Sequence, residues 1–168
     1  MRHSPTALYF EAMVAGIQQV DGQVIAIHRT FLLPGGRGKA QVSTPKMALG
    51  SYAGGAVRFA EPAHELVLGE GIESSLSVAR ATGKPAWACL GTSGLKAVVL
   101  PPDVETVIIA VDGDERGEDA AEKAARRFVA EGRAVRIARP PTGMDFNDLL
   151  IRPENVVPFP SPSEAAHG

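Results

Sequence analysis

The sequence predicts an α/β protein: an open, mostly parallel sheet flanked by helices and preceded by an N-terminal β-hairpin element. Three observations carry this. From residue 65 onward, short apolar runs alternate with segments of helical periodicity, the pattern of buried strands covered by helices. One of those runs, Thr106-Val107-Ile108-Ile109-Ala110-Val111, is rich in β-branched residues and shows no polar alternation, which suits an interior strand buried on both faces. Near the N-terminus, Asp21-Gly22 separates two strand-like stretches and is a hairpin turn signal.

In chain order, residues 12–20 and 23–33 form the expected hairpin. Pro34-Gly35-Gly36-Arg37-Gly38-Lys39 reads as a flexible basic loop, and residues 47–59 as Gly-rich and irregular, up to a soft boundary near Glu61-Pro62. Residues 65–69 are the first strand of the main sheet. A helix over 71–82 follows, with Ile72, Leu76 and Ala79 at helical spacing and Gly83 placed to end it. Residues 86–90 are strand-like, Gly91-Thr92-Ser93-Gly94 a turn, and Pro101-Pro102 a break before the strand at 106–111. Residues 117–131 form an amphipathic helix closed by Gly132, 134–138 the next strand, and 145–151 a short helix. The organisation is therefore 1–61, a β-rich accessory element; 62–152, the main α/β domain; and 153–168, a Pro- and Ser-rich tail expected to be disordered.

The 168 residues, 45% of them hydrophobic, suffice for one sizeable core and a small appendage. No apolar run approaches the roughly 20 residues needed to span a bilayer, and the N-terminus leads into no signal-peptide core, so a soluble cytoplasmic protein with no membrane partner is expected. The lone Cys89 excludes an intrachain disulfide and a cysteine-based zinc site, and lies in an apolar run that suggests burial. Residues 1–64 carry six Lys/Arg against three Asp/Glu, a net +3, while the remainder carries eleven against sixteen, a net −5. That asymmetry suits an enzyme whose acidic site needs metal to meet phosphate, and equally an ordinary mixed surface.

Glu70 directly follows the first strand of the main sheet, and Asp112-Gly113-Asp114 directly follows the 106–111 strand. In an open parallel sheet the carboxyl ends of the strands share one edge, so three carboxylates meet where such folds place their sites. Hard oxygen donors of this kind favour Mg2+, with Mn2+ an alternative. Asp145-Phe146-Asn147-Asp148 adds an acidic turn after the next strand; Asp145 is also a candidate helix cap and Asp148 a candidate solvated residue. Glu73, one helical turn beyond Glu70, either supports the site or favours the helix N-terminus electrostatically. His28 reads as a strand residue and Trp87 as core.

The order Gly69-Glu70-Gly71-Ile72-Glu73, Val111-Asp112-Gly113-Asp114 and Asp145-Phe146-Asn147-Asp148 resembles the Toprim domain, above all the versions in plasmid- and phage-borne primases and primase-helicases. The resemblance covers residues 65–151, and its motifs are specific in combination. It implies that Glu70 is the general acid or base, that Asp112 and Asp114 hold magnesium, and that Asp145 and Asp148, with Asn147 in support, contribute to the metal or phosphate site. The stretches Ile27-His28-Arg29-Thr30-Phe31, Gly35 to Lys39 and Gly54-Gly55-Ala56-Val57-Arg58 are similar to the region that precedes Toprim in those primases. Arg29, Arg37, Lys39, Lys46 and Arg58 are the candidate nucleic-acid contacts, though scattered surface charge explains them nearly as well. Such primases usually carry a zinc-binding module and often a helicase region, neither of which is recognisable here. A fragment of a larger protein, or a reduced protein that finds these modules on another chain, is therefore expected.

What the resemblance implies for function is magnesium-dependent phosphodiester chemistry on single-stranded DNA or RNA with nucleotide triphosphates: a DNA primase-like nucleotidyltransferase of mobile-element type making primers for DNA replication. A Toprim nuclease would use the same site to cut. A non-catalytic Toprim module that docks nucleic acid or a helicase is the reading from another class. A topoisomerase needs a tyrosine nucleophile, for which only Tyr9 and Tyr52 exist, neither in a recognisable motif. A phosphotransfer aspartate at Asp112 is disfavoured because a Glu-bearing strand precedes it.

Overall fold

The computed structural model describes residues 1–111, 115–141 and 143–151 and contains two sheets. In the first, β1 (Glu11–Gln18) and β2 (Val24–Leu32) form the antiparallel hairpin, and β3 (Lys46–Leu49) adds to the free side of β2, giving the order β1-β2-β3. The turn closes as the residue types require: the Asp21 carboxylate accepts the Gln23 N–H at 2.9 Å, and Gly22 takes a φ of 85°.

The second sheet contains β4 (Val57–Arg58), β5 (Glu65–Gly69), β6 (Ala86–Ala88), β7 (Thr106–Ala110) and β8 (Ala134–Ala138) in the order β4-β6-β5-β7-β8. Only β4 runs antiparallel to its neighbour. The helices are α1 (Ile72–Thr82), α2 (Thr92–Ala97), α3 (Glu115–Ala130) and α4 (Phe146–Ile151). Alternation along the strands sorts the core into layers. Leu66, Leu68, Val107 and Ile109 face Leu95, Val98, Ala121 and Phe128 of the α2 and α3 side, while Val67, Ile108 and Ala110 face Val78 of α1 and Phe146 of α4. Each fully buried Leu, Ile or Val side chain among them stabilises the fold by about 1.5–3 kcal/mol. Trp87 and Cys89 belong to this core, as their apolar setting in the sequence suggests. Among the described residues no helix is long and apolar enough to cross a membrane.

The expected α/β architecture is therefore present, with differences where long-range pairing overrides local signals. Within the stretch 47–59, read as irregular, residues 47–49 belong to strand β3, which begins at Lys46, and 57–58 form β4, because β2 and β6 supply their partners. The Gly91-Thr92-Ser93-Gly94 turn opens α2: Gly91 is its N-cap at φ 113°, and Gly94 lies inside the helix. The basic loop is a short 3₁₀ turn (Pro34–Gly36) held at both ends, by Gly35 N–H on the Glu11 carboxylate at 2.9 Å and Leu33 N–H on the Gly38 carbonyl at 2.8 Å. The tail, 153–168, lies outside the described residues.

Candidate functional site

From β5 the chain passes to β6 on one side and then to β7 on the other, so the sheet changes direction at the β5/β7 seam. The crevice beyond the carboxyl ends of two such strands is where open α/β sheets bind ligands. Gly69 ends β5 in register with Ala110 of β7 and Ala88 of β6, and Glu70 is the next residue. The backbone around Glu70 is tightly held. Its carbonyl accepts the Gly91 N–H at 3.0 Å, and the Gly69 carbonyl accepts the Cys89 N–H at 2.8 Å. Buried Ser75 donates to the Gly71 carbonyl at 2.7 Å, and its hydroxyl sits where a Cβ on residue 69 would come within 2.4 Å, which is why a glycine stands there.

The N-terminal sheet leans over this edge. A cleft of about 360 Å³ separates them, with His28, Lys46, Met47, Ala48 and Tyr52 on one wall and Glu70, Gly71, Ile72, Leu90 and Gly91 on the other. Leu90 adopts a φ of 64°, uncommon for a residue with a side chain, where the chain turns from β6 into α2. Burial, with Lys46 and Arg29 nearby, pulls the His28 imidazole below its usual pKa, against a partial opposing effect from Glu73. Beneath the cleft, burial and the charge of Glu70 push the Cys89 thiol up to about 12, so it is a protonated core group and no nucleophile.

Glu73 joins the two parts of the molecule. From the first turn of α1 it meets Lys39 at 3.2 Å and Lys46 at 3.1 Å. Burial alone would raise its carboxyl, but its own backbone N–H, Lys46 and Lys39 outweigh that and hold it at about 2, against an ordinary 4.5. A depressed carboxyl contributes stability that is present above the unfolded value and lost as pH falls through the folded one. The melting temperature of the parent should therefore exceed that of Glu73→Gln near neutrality, with the difference closing between about pH 4.5 and 2. The side chain is 41% exposed, so solvent screening limits the effect to on the order of 1 kcal/mol. A difference that stays constant over that window would show that the lysines do not hold the carboxylate.

The remaining candidate residues distribute unevenly. Asp112 and Asp114 lie outside the described residues, one and three positions after Val111, whose N–H is fixed on the Ala138 carbonyl at 3.1 Å. Asp145 and Asp148 cap α4 reciprocally: Asp148 N–H donates to the Asp145 carboxylate at 2.7 Å, and Asp145 N–H to the Asp148 carboxylate at 3.1 Å. Asn147 accepts the Ser77 hydroxyl at 3.3 Å and ties α4 to α1. Arg29 is 8% exposed and engaged inside the N-terminal sheet, its guanidinium 5.8 Å from the Phe31 ring centre. Arg58 stacks on Trp87 at 4.0 Å and donates to the Gln19 carbonyl, stitching the hairpin to the main sheet. Arg37 is exposed, its Nε donating to the Pro34 carbonyl at 3.2 Å.

Two cleft residues, His28 and Tyr52, were not legible as site residues. For His28 a signal existed: it alternates with Ala26 and Thr30 on β2, the face that turns toward the main domain. Among the described residues no three His, Cys, Asp or Glu side chains gather closely enough to hold an ion. The donor chemistry nonetheless fits magnesium: a carboxylate at the β5 end borders the cleft, and β7, paired with β5, ends two residues before Asp112.

Comparison with known proteins finds family matches in two parts of the chain. The Toprim domain family matches residues 65–154, and a family described as a domain of unknown function matches residues 1–59. No curated protein matches the chain. Among solved structures it is similar to the Aquifex aeolicus primase (zinc-binding and RNA polymerase domains), with a TM-score of 0.64 and 17% identity over 84% of this chain and 37% of that one. It is also similar to the RNA polymerase domain of Mycobacterium tuberculosis primase DnaG, with a TM-score of 0.58 and 19% identity over 87% of this chain and 52% of that one. For the same domain in complex with double-stranded DNA the TM-score is 0.55 and the identity 20%, over 85% of this chain and 50% of that one. The chain thus spans between 37% and 52% of the length of these primase chains, and at such identities the likeness is one of fold.

Proposed function

The chain belongs to the Toprim domain family, and from that premise we propose that it is a primase-like enzyme that joins nucleotide triphosphates into primers on single-stranded DNA. The observation that supports this most is the position of Glu70, at the carboxyl end of β5 beside the β7 seam, in a cleft walled by Lys46 and His28. Toprim domains bind magnesium through acidic residues. Here Asp112 and Asp114 would hold Mg2+ or Mn2+, and Asp145 and Asp148 would contribute further oxygen donors. The bound cation supplies charge neutralisation for the phosphates and polarises the attacking and leaving oxygens.

The chain's own groups do the rest. Glu70 is the acid or base that moves a proton at the attacking oxygen, on a backbone fixed by the Gly91 N–H. Lys46 meets substrate phosphate from the opposite wall, and Arg37 extends the basic path outward. Arg29 and Arg58, engaged in internal contacts, shape the N-terminal sheet that carries this wall. The Aquifex chain includes a zinc-binding domain by its title. A zinc-binding module and a helicase, on this protein or another chain, are the partners such an enzyme would need in the cytoplasm.

The deciding experiment incubates the full chain with single-stranded DNA, nucleotide triphosphates and magnesium, with products sized on a gel. New oligonucleotides support the proposal; a shortened template assigns strand cutting instead; no change with binding retained leaves a docking module. Metal occupancy has its own test. At tenfold its Kd, magnesium should stabilise the chain by about 1.4 kcal/mol, which raises the melting temperature by roughly 3–6 °C. The doubly substituted Asp112→Asn/Asp114→Asn chain should show no rise; an equal rise there would remove the assignment of those two ligands.

A further inference from the structure

The N-terminal ten residues fold into a loop that buries a histidine and displays a tyrosine. Arg2 pairs antiparallel with Tyr9, His3 N–H donates to the Leu8 carbonyl and Ala7 N–H to the His3 carbonyl, each at 2.8 Å, and the terminal amine donates to the Phe10 carbonyl. The His3 ring is 0% exposed and meets Phe31 edge-on at 4.9 Å. Its Nε2 donates to the Thr44 carbonyl at 3.0 Å, and its Nδ1 is hydrogen-bonded to the Thr6 hydroxyl at 2.8 Å. Ala7 takes a φ of 59°, an uncommon backbone state that this tight turn requires. The outcome is that Tyr9 stands 78% exposed and Leu8 59% exposed on a firmly anchored loop.

We propose that Tyr9 is a stacking platform for an unpaired base of single-stranded nucleic acid, with Arg2 and Arg37 receiving the flanking phosphates; this rests on the proposed function. Directly opposed residues of an antiparallel pair project to the same face, so exposed Arg2 accompanies the Tyr9 ring. Glu11, two residues beyond Tyr9, anchors Gly35, which brings the turn carrying Arg37 to the same end of the sheet. The same turn leads to Lys39, which reaches Glu73 beside the catalytic cleft, so basic groups mark a route from the platform toward Glu70. A rigid exposed aromatic accompanied by arginines is the chemistry of sequence-tolerant strand binding. An apolar protein partner fits less well, because the patch carries Arg2 and Arg37 while its acidic neighbour Glu11 is engaged by a backbone N–H.

The test measures equilibrium binding of the full chain to a fluorescent oligothymidylate and to an abasic strand of equal length. Tyr9→Ala should weaken binding to the base-bearing strand by about 5- to 150-fold and leave the abasic strand unaffected, while Tyr9→Phe stays within about twofold of the parent. Melting temperatures should match throughout, since the ring is exposed. If the parent binds tightly and Tyr9→Ala binds equally well, or loses both strands in equal measure, the platform is overturned and the primase-like reading stands. If the parent binds neither strand, the nucleic-acid reading fails and the platform with it.

Discussion

Glu70→Gln is expected to reduce product formation by about 10²- to 10⁴-fold while leaving strand binding nearly unchanged. The amide has the shape of the carboxylate but cannot take up and return a proton at neutral pH, nor bring negative charge to a cation. The exchange should not disturb the surrounding backbone, because residue 70 is held through its carbonyl by Gly91 N–H and the neighbouring Gly71 carbonyl by Ser75. Initial rates at saturating magnesium, set beside binding to a labelled single strand, separate chemistry from affinity. An unchanged rate would move the proton transfer to another group, His28 on the facing wall being the next to test. Loss of both rate and binding would mean that Glu70 organises the cleft and performs no chemistry in it.

The parts of the fold legible in the sequence are those whose signals are local. Thr106–Ala110 and Glu65–Gly69 are strands because unbroken apolar runs can be satisfied only between two helical layers, and α1 stops at Gly83 because that residue enters the left-handed region at φ 67° and returns its N–H to the Ala79 carbonyl. The hairpin follows from Asp21-Gly22 in the same way. What escaped the sequence depends on partners distant along the chain. β3 and β4 have weak intrinsic signals and exist through β2 and β6. Lys39 and Lys46 read as candidate nucleic-acid contacts or scattered surface charge, and nothing local to either revealed that both meet Glu73, about 30 positions away. Asp145 was read as a site acid or a helix cap, and Asp148 as a site acid or a solvated residue; in the described geometry the two cap α4 reciprocally. The place of Glu70 at the carboxyl end of β5, beside the β7 seam, was legible because strand order turns local strand ends into one edge, whereas the wall supplied by His28 and Tyr52 required knowing how the N-terminal sheet packs.

Gly94→Ala should destabilise the protein by about 3 kcal/mol or more, lowering the melting temperature by roughly 6–12 °C or preventing accumulation of folded chain. A Cβ at this position would fall 1.7 Å from the Cys89 carbonyl oxygen. That oxygen belongs to backbone, not to a flexible side chain, and Cys89 is pinned by its N–H on the Gly69 carbonyl at 2.8 Å. Relief would have to come from shifting α2, whose Leu95 is fully buried against the sheet. Gly91→Ala is the informative companion. No atom lies within 4 Å of its would-be Cβ, so its cost is only the strained backbone at φ 113° and ψ 176°, about 1–3 kcal/mol. Urea denaturation of both variants distinguishes a steric wall from a conformational preference. If Gly94→Ala unfolds at the same urea concentration as Gly91→Ala, the close approach of α2 to the end of β6 is wrong, and with it the floor on which Leu90, Gly91 and the Glu70 backbone are set.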